Sequence, residues 1–454
     1  MTLDINTLKK GLVESRVWKS VVRHGYPDTE TNRALAIMSN LFLHLHPVKV
    51  KRHALKFNYT FGLGGLSLLL FIVEAVTGAF LMFYYVPSVE RAFFDMKDLR
   101  FAVYFGVLMR NMHRWAAHGM VAVVFLHMCR VFYTAAYKTP REFNWVLGVF
   151  LFVVTLAFSY TGYLLPWDQL AYWAVTICTS MLGYIPICGP WLLELFRGGS
   201  EVGGPTLANF FVLHVAFIPG SLFVLMLWHF WLVRRAGGLV QVKKDEQVPV
   251  DRVPTVPDLV VREAAFGLLL IAFVLILAIV WDAPLLEQAN PGMSPNPAKA
   301  PWYFLGFQEL LLHLHPVFAT LVWPLMGALA FLCVPFWADS SLPTGVWFGS
   351  ARGRTLAVWT SAVGAGATLA LVLTDNLLLQ SAAPVSNTLM TRGLLPTGLL
   401  IALLAGLYFL LVRKLKYTRA ETVMAGIILT LVVLTVCTII GVWFRGPEMH
   451  LSWP

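Results

Sequence analysis

Four long apolar stretches in the first half of the chain each carry one residue type twice at a fixed interval. Gly64 and Gly78, His113 and His127, and Gly148 and Gly162 are 14 positions apart; His214 and His229 are 15 apart. A helix rises about 1.5 Å per residue with 3.6 residues per turn, so fourteen residues make nearly four turns, roughly 21 Å, and return to almost the same face. Two helices therefore present histidine at two heights, and two present glycine at the same two heights. A lone intramembrane histidine often just bonds a neighbouring helix, and His118 is expected to do so. Two matched histidine pairs facing two matched glycine pairs point instead to a four-helix bundle around two stacked hemes. Imidazoles serve as axial ligands, and glycine leaves room where a porphyrin plane meets backbone.

The medium is a bilayer. The chain is 58% hydrophobic and 13% charged, with mean hydropathy +0.70. A crossing takes about 20 apolar residues. Nine stretches qualify: 57–86, 103–133, 144–165, 207–233, 264–282, 317–337, 355–377, 395–413 and 422–444. The expected fold is all-α and polytopic, with about nine transmembrane helices. The polar, basic first 56 residues lack the pattern of a cleaved signal peptide. The net charge of +10 is expected to reflect topology and not nucleic acid. With a cytoplasmic N-terminus, 25 of the 34 Lys and Arg fall on the cytoplasmic side, as the positive-inside rule requires. Nine crossings then put the C-terminus outside, in the cytoplasmic membrane of a bacterium.

The domains expected are a basic N-terminal segment (1–56), a four-helix unit (57–233), a charged cytoplasmic linker (234–262) with Pro249, Pro254 and Pro257, a three-helix unit (263–377), and two further helices with a tail (378–454). Residues 166–206 and 283–316 form long outer connections. The five cysteines include no C-x-x-C-H and no iron–sulfur cluster pattern, so no covalent heme is expected. Cys178 and Cys188 are expected as independent thiols.

Several strings resemble one family. Ser159-Tyr160-Thr161-Gly162-Tyr163-Leu164-Leu165-Pro166-Trp167-Asp168-Gln169, Arg110-Asn111-Met112-His113-Arg114-Trp115, Lys138-Thr139-Pro140-Arg141-Glu142 and Pro301-Trp302-Tyr303-Phe304 are similar to cytochrome b of the quinol–cytochrome c reductases. The resemblance covers about residues 50–377 and is greatest to the chloroplast and cyanobacterial branch. There the diheme and quinol-site parts are separate chains; here the linker joins them. It implies an outer heme b on His113 and His214, an inner one on His127 and His229, and Arg110 and Arg130 beside their propionates. It also implies an outer quinol pocket between Gly162–Trp173 (Tyr163, Pro166, Trp167, Asp168, Trp173) and Pro301–Phe304 (Pro301, Trp302, Tyr303). An inner quinone site would lie near Arg234. The implied partners are a Rieske-type iron–sulfur protein, a c-type cytochrome, membrane lipid and quinone, in a dimeric complex.

Two departures stand out. Proline (Pro301) occupies the place where the family has an acidic residue, so another carboxylate is expected to take the quinol proton: Glu309, with the raised pKa of a buried carboxyl, or else Asp168. The chloroplast branch anchors an extra heme on a cysteine where this chain has Gly62, so that heme is not carried over. The missing acid favours menaquinol as the substrate. A transporter would place broken helices and ionisable groups at mid-membrane; a heme b anchor of a dehydrogenase or hydrogenase would lack the Pro-Trp-Asp-Gln and Pro-Trp-Tyr elements. His313 and His315 are expected as interface residues.

Overall fold

A computed structural model describes residues 5–21, 28–40, 43–240, 251–337, 343–379 and 388–453. Among these residues, nine helices are long and apolar enough to cross a membrane. They are α1 (Leu63–Met82), α2 (Gly106–Tyr133), α3 (Glu142–Leu164), α4 (Gly204–Arg235), α5 (Asp258–Val280), α6 (Phe318–Trp337), α7 (Ala351–Leu377), α8 (Met390–Lys414) and α9 (Arg419–Trp443). Each overlaps one apolar stretch of the sequence. Length, not amphipathic contrast, is the signal, because lipid-facing and core-facing surfaces are both apolar.

Shorter helices lie between the spans. Ala92–Phe101 precedes α2, Gln169–Leu182 and Gly189–Arg197 fill the connection after α3, and Trp302–His313 precedes α6. The central part of the linker, 241–250 with Lys243, Lys244 and Pro249, lies outside the described residues. Its end is tied down: β1 (Lys49–Lys51) pairs antiparallel with β2 (Arg252–Pro254), Val50 opposite Val253.

The 15-residue interval between His214 and His229 has a local cause. Leu213–Phe217 forms a π-turn, closed by the Ile218 amide donating to the Leu213 carbonyl. A π-turn inserts one residue into an α-helix, so fifteen residues here are equivalent to fourteen elsewhere. Pro219 follows at once and, lacking an amide proton, donates no backbone bond of its own.

The two last spans do not stand apart from the rest. A Cβ on Gly306 would lie 2.8 Å from the Leu434 carbonyl, and one on Gly441 3.2 Å from Leu305 Cβ. Paired glycines thus bring α9 into backbone contact with the helix Trp302–His313, as small residues do between membrane helices. Lys299 donates to the Val442 carbonyl at 3.1 Å, and the Trp323 indole donates to Thr397 at 2.9 Å, which attaches α8 to α6. One core cluster joins α2, α3, α6, α7 and α9 through Phe132, Trp145, Val334, Ala357 and Ile428.

Candidate heme and quinol sites

The histidines meet in the pairs their heights require. The ring centroids of His113 and His214 are 6.1 Å apart, and those of His127 and His229 are 6.4 Å apart. Both pairs meet nearly edge to face, with interplanar angles of 82° and 78°. They leave space for one metal bonded at about 2 Å to a nitrogen on each side, the usual length of a histidine–metal bond.

The tautomers fit. The Thr77 hydroxyl donates to the Val73 carbonyl at 2.7 Å, so its oxygen accepts from His113 Nδ1 at 2.9 Å. Nδ1 of His113 therefore carries the proton, and Nε2 keeps its lone pair for iron. On the opposite helix the Thr161 hydroxyl donates to Ala157 and Phe158 carbonyls, and His214 Nδ1 lies 3.1 Å from the Phe158 carbonyl. These threonines directly precede Gly78 and Gly162. The repeated Thr-Gly dipeptide was the sequence signal for them, overshadowed by the glycines.

Each of the four glycines lies against a histidine ring. A Cβ on Gly78 would lie 3.2 Å from His113 Cε1, one on Gly64 3.4 Å from His127 Cε1, and one on Gly148 3.9 Å from His229 Cε1, while one on Gly162 would collide with the His214 ring. Each glycine thus makes room for an imidazole on the next helix. A graded outcome follows. Gly162→Ala should displace His214 and sharply reduce the outer low-spin heme signal, whereas Gly148→Ala, at ordinary van der Waals distance, should leave the spectrum near normal. Optical and EPR spectra of the two purified variants decide this.

Around the inner pair is a cavity of about 130 Å³ whose walls include His127, His229, Gly64, Gly148, Arg130 and Arg141, and no carboxylate. Arg130 Nε donates to the Tyr59 carbonyl at 3.1 Å, but its Nη2 is buried without a partner. A buried guanidinium nitrogen left open suits the acid groups of a bound heme. At the His113–His214 level two arginines are near, and they differ in how they are bonded. Arg110 is spent on the Ala283 and Pro284 carbonyls at 2.8 and 2.7 Å. Arg114, 4.8 Å above the Tyr163 ring, is the one with an unpartnered buried Nε. Arg234 donates to the His44 carbonyl and so anchors the N-terminal segment.

An apolar cavity of about 340 Å³ lies between the connection after α3 and the segment that leads into α6. Its walls include Trp173, Ile177 and Cys178 on one side and Lys299, Ala300, Phe304 and Gln308 on the other. The lining meets the two expected segments only at Leu170, Trp173 and Phe304; Tyr163, Pro166, Trp167, Asp168, Pro301, Trp302 and Tyr303 lie outside it. Trp167 packs in a core cluster with Tyr172 and Phe210. The Trp173 indole donates to the Asn290 carbonyl at 3.2 Å. The Trp302 indole donates to His118 Nδ1 at 2.9 Å, the helix-to-helix bond expected of that histidine. Burial pushes the Tyr303 hydroxyl up to about 12, so it remains a donor near neutral pH.

Both carboxylates expected to take a proton are otherwise engaged. Asp168 caps the helix Gln169–Leu182: one oxygen accepts from the Ala171 amide at 2.9 Å, and the other from the Leu286 amide at 3.1 Å. Glu309 is fully buried and does not line the cavity. It faces Arg445, whose Nε donates to it at 3.0 Å and whose Nη2 forms a second ion-pair contact. His313 Nε2 lies 3.1 Å from the same carboxylate, and His313 Nδ1 lies 2.6 Å from Asp375. Burial works to raise the Glu309 carboxyl, but the hydrogen bonds and charges of His313 and Arg445 outweigh it and hold it below its ordinary value. The raised pKa expected from burial alone is thereby corrected. Arg445, in the C-terminal tail 136 residues away, gave no sequence sign of this partnership.

A membrane helix bundle with facing histidine pairs defines a membrane heme protein of the cytochrome b type. A family model described as "Cytochrome b/b6/petB" matches residues 48–237. Cytochrome b6 of Heliomicrobium gestii is 46% identical over 192 residues, 42% of this chain and 88% of that protein. Cytochrome b6 of Prochlorococcus marinus (strain MIT 9215) is 46% identical over 180 residues, covering 40% and 83%. A chain of a hyperthermophilic respiratory Complex III structure superposes with a TM-score of 0.62 at 26% identity, over 88% of this chain and 96% of that one. The chain belongs to the cytochrome b/b6 family. Its first half corresponds to nearly all of a cytochrome b6, and the remainder extends it.

Proposed function

We propose that this chain is the diheme cytochrome b subunit of a quinol–cytochrome c reductase. The observation that carries the reading is the two histidine pairs at 6.1 and 6.4 Å, stacked four turns apart in one bundle. His113 and His214 would hold the outer heme b; His127 and His229 would hold the inner one. When bound, the hemes supply one-electron storage at two depths of the membrane. The chain's own residues do the remaining work. Trp173 and Phe304 bound an apolar pocket for the quinol ring. The Trp302–His118 hydrogen bond fixes the turn into the helix Trp302–His313. The open guanidinium atoms of Arg114 and Arg130 neutralise acid groups at the two levels.

In this scheme one electron from the quinol goes to a Rieske-type iron–sulfur protein and on to a c-type cytochrome. The other crosses to an inner quinone, with protons released outside. The N-terminus is cytoplasmic, the C-terminus outside, and the complex is a homodimer in a bacterial inner membrane. Glu309 and Asp168 are assigned structural roles, and menaquinol remains the proposed substrate. No thioether is expected, since Gly62 offers no sulfur, so all heme should extract into acidified organic solvent.

The purified complex, given a reduced menaquinone analogue and oxidised cytochrome c, should reduce the cytochrome in a reaction sensitive to an outer-site quinol inhibitor. Quinone extracted from it should be menaquinone. If quinol reduces the b hemes but no cytochrome c follows, the chain is an electron-passing anchor and the proposal fails.

A further inference from the structure

We propose that Glu74 lowers the reduction potential of the outer heme by accepting a hydrogen bond from its ligand His113; this rests on the diheme reading above. Glu74 lies on α1 one turn before Gly78 and shares its face. It is buried, 4% exposed, in the middle of a membrane span. Its Oε2 is 3.0 Å from His113 Nδ1, and its Oε1 is buried without a hydrogen-bond partner. Among the described residues its only ion-pair contact is His113. A carboxyl group inside a bilayer is costly and is rarely kept without a role. No cation beyond the imidazole compensates this one.

The hydrogen-bond directions fix what Glu74 does. The Thr77 proton is committed to the Val73 carbonyl, so Nδ1–H of His113 is shared between two acceptors, the Thr77 hydroxyl oxygen at 2.9 Å and the Glu74 carboxyl oxygen. A carboxyl acceptor draws the Nδ1 proton toward itself and makes Nε2 a stronger donor to a metal. A stronger axial donor favours the ferric state, and hydrogen bonding around the ligands is one of the levers that set heme potential.

The other ligands lack this device. His214 Nδ1 faces a neutral carbonyl. His229 Nδ1 has no partner, and the inner cavity is walled by Arg130 and Arg141 with no carboxylate. A carboxyl acceptor on one outer ligand, and no carboxylate in the inner cavity, both favour an electron moving from the outer heme to the inner one. Glu74 is therefore a positioning residue that gives transfer across the bundle its direction.

The test is a redox titration of both hemes, followed optically and by EPR, in the parent complex and two variants. Glu74→Gln keeps the shape and an oxygen acceptor but removes the carboxyl. It should raise the one-electron reduction equilibrium of the outer heme about tenfold, equivalent to about 59 mV, and leave the inner heme unmoved. Thr77→Val removes the competing acceptor, gives the proton wholly to Glu74, and should shift the outer heme the opposite way. An unchanged outer potential in Glu74→Gln, or an equal shift of both hemes, overturns the inference. If Glu74→Gln loses the outer heme, Thr77→Val decides alone: a lowered outer potential upholds the inference, and an unchanged one overturns it. A parent protein without two titrating hemes contradicts the diheme reading itself, a different and separately visible result.

Discussion

Exchanging both His113 and His214 for leucine is expected to reduce the heme content from two to one per chain, leaving one low-spin component in the spectrum. The same exchange at His127 and His229 should remove the other component. Under the proposed assignment each pair shares one metal position between rings 6.1 or 6.4 Å apart, so losing both imidazoles removes both nitrogen donors at that height. The neighbours of the outer pair, Thr77, Thr161 and Glu74, lie against the imidazoles and offer only oxygen, not nitrogen, as a replacement. The two heights are independent because nearly four helical turns separate them. Pyridine-hemochrome content and low-spin EPR signals of the two double variants measure the outcome. Two intact low-spin hemes after loss of either pair would refute the ligand assignment.

Arg445→Met is expected to destabilise the protein by about 3–5 kcal/mol, the usual cost of leaving one member of a buried ion pair uncompensated. Glu309 and Arg445 are 0% and 1% exposed at their side chains. Arg445 also donates to Asn376 Oδ1 at 2.9 Å and to the Met449 carbonyl at 2.8 Å, so its loss releases the tail and the end of α7 together. Glu309→Gln should be milder, since an amide oxygen still accepts from the guanidinium. The double variant Glu309→Leu/Arg445→Met should recover much of the loss, because a buried pair replaced by apolar side chains is often neutral. Thermal unfolding in detergent and protease sensitivity of the C-terminus report these effects.

The same pair sets a pH dependence. With the Glu309 carboxyl held below its ordinary value, its contribution is complete above the unfolded pKa and is lost as pH falls through the lowered folded one. Destabilisation by acid should therefore be blunted in the double variant. A Glu309→Gln protein with parental stability but slow quinol oxidation would return Glu309 to the chemistry.

The spans were legible because a bilayer leaves only helices as an option for a single long apolar stretch. The pairing of heights was legible because helical period converts 14 residues into position. What escaped is whatever depends on contacts between distant segments. Arg445 reaches Glu309 from 136 residues away. Arg110 meets the Ala283 and Pro284 carbonyls, and Arg114, four residues on in the same string, has the Nε left open. Glu309 also shows why spacing was insufficient. Eight residues past Pro301 is a little over two turns, but the carboxylate faces Arg445, just beyond α9, and not the cavity. The one-residue excess between His214 and His229 invited a proline kink, and a π-turn just before Pro219 absorbs it. Glu74 drew no notice in the sequence because a single acid in an apolar helix has no periodic partner to mark it.

The most direct test of two hemes that carry electrons inward from an outer quinol site is a redox titration of the purified complex with and without an outer-site quinol inhibitor. Two one-electron heme components should appear, and the inhibitor should perturb only the component that is absent from the His113→Leu/His214→Leu variant. A single component, or an inhibitor that leaves both unchanged, would contradict the proposed function.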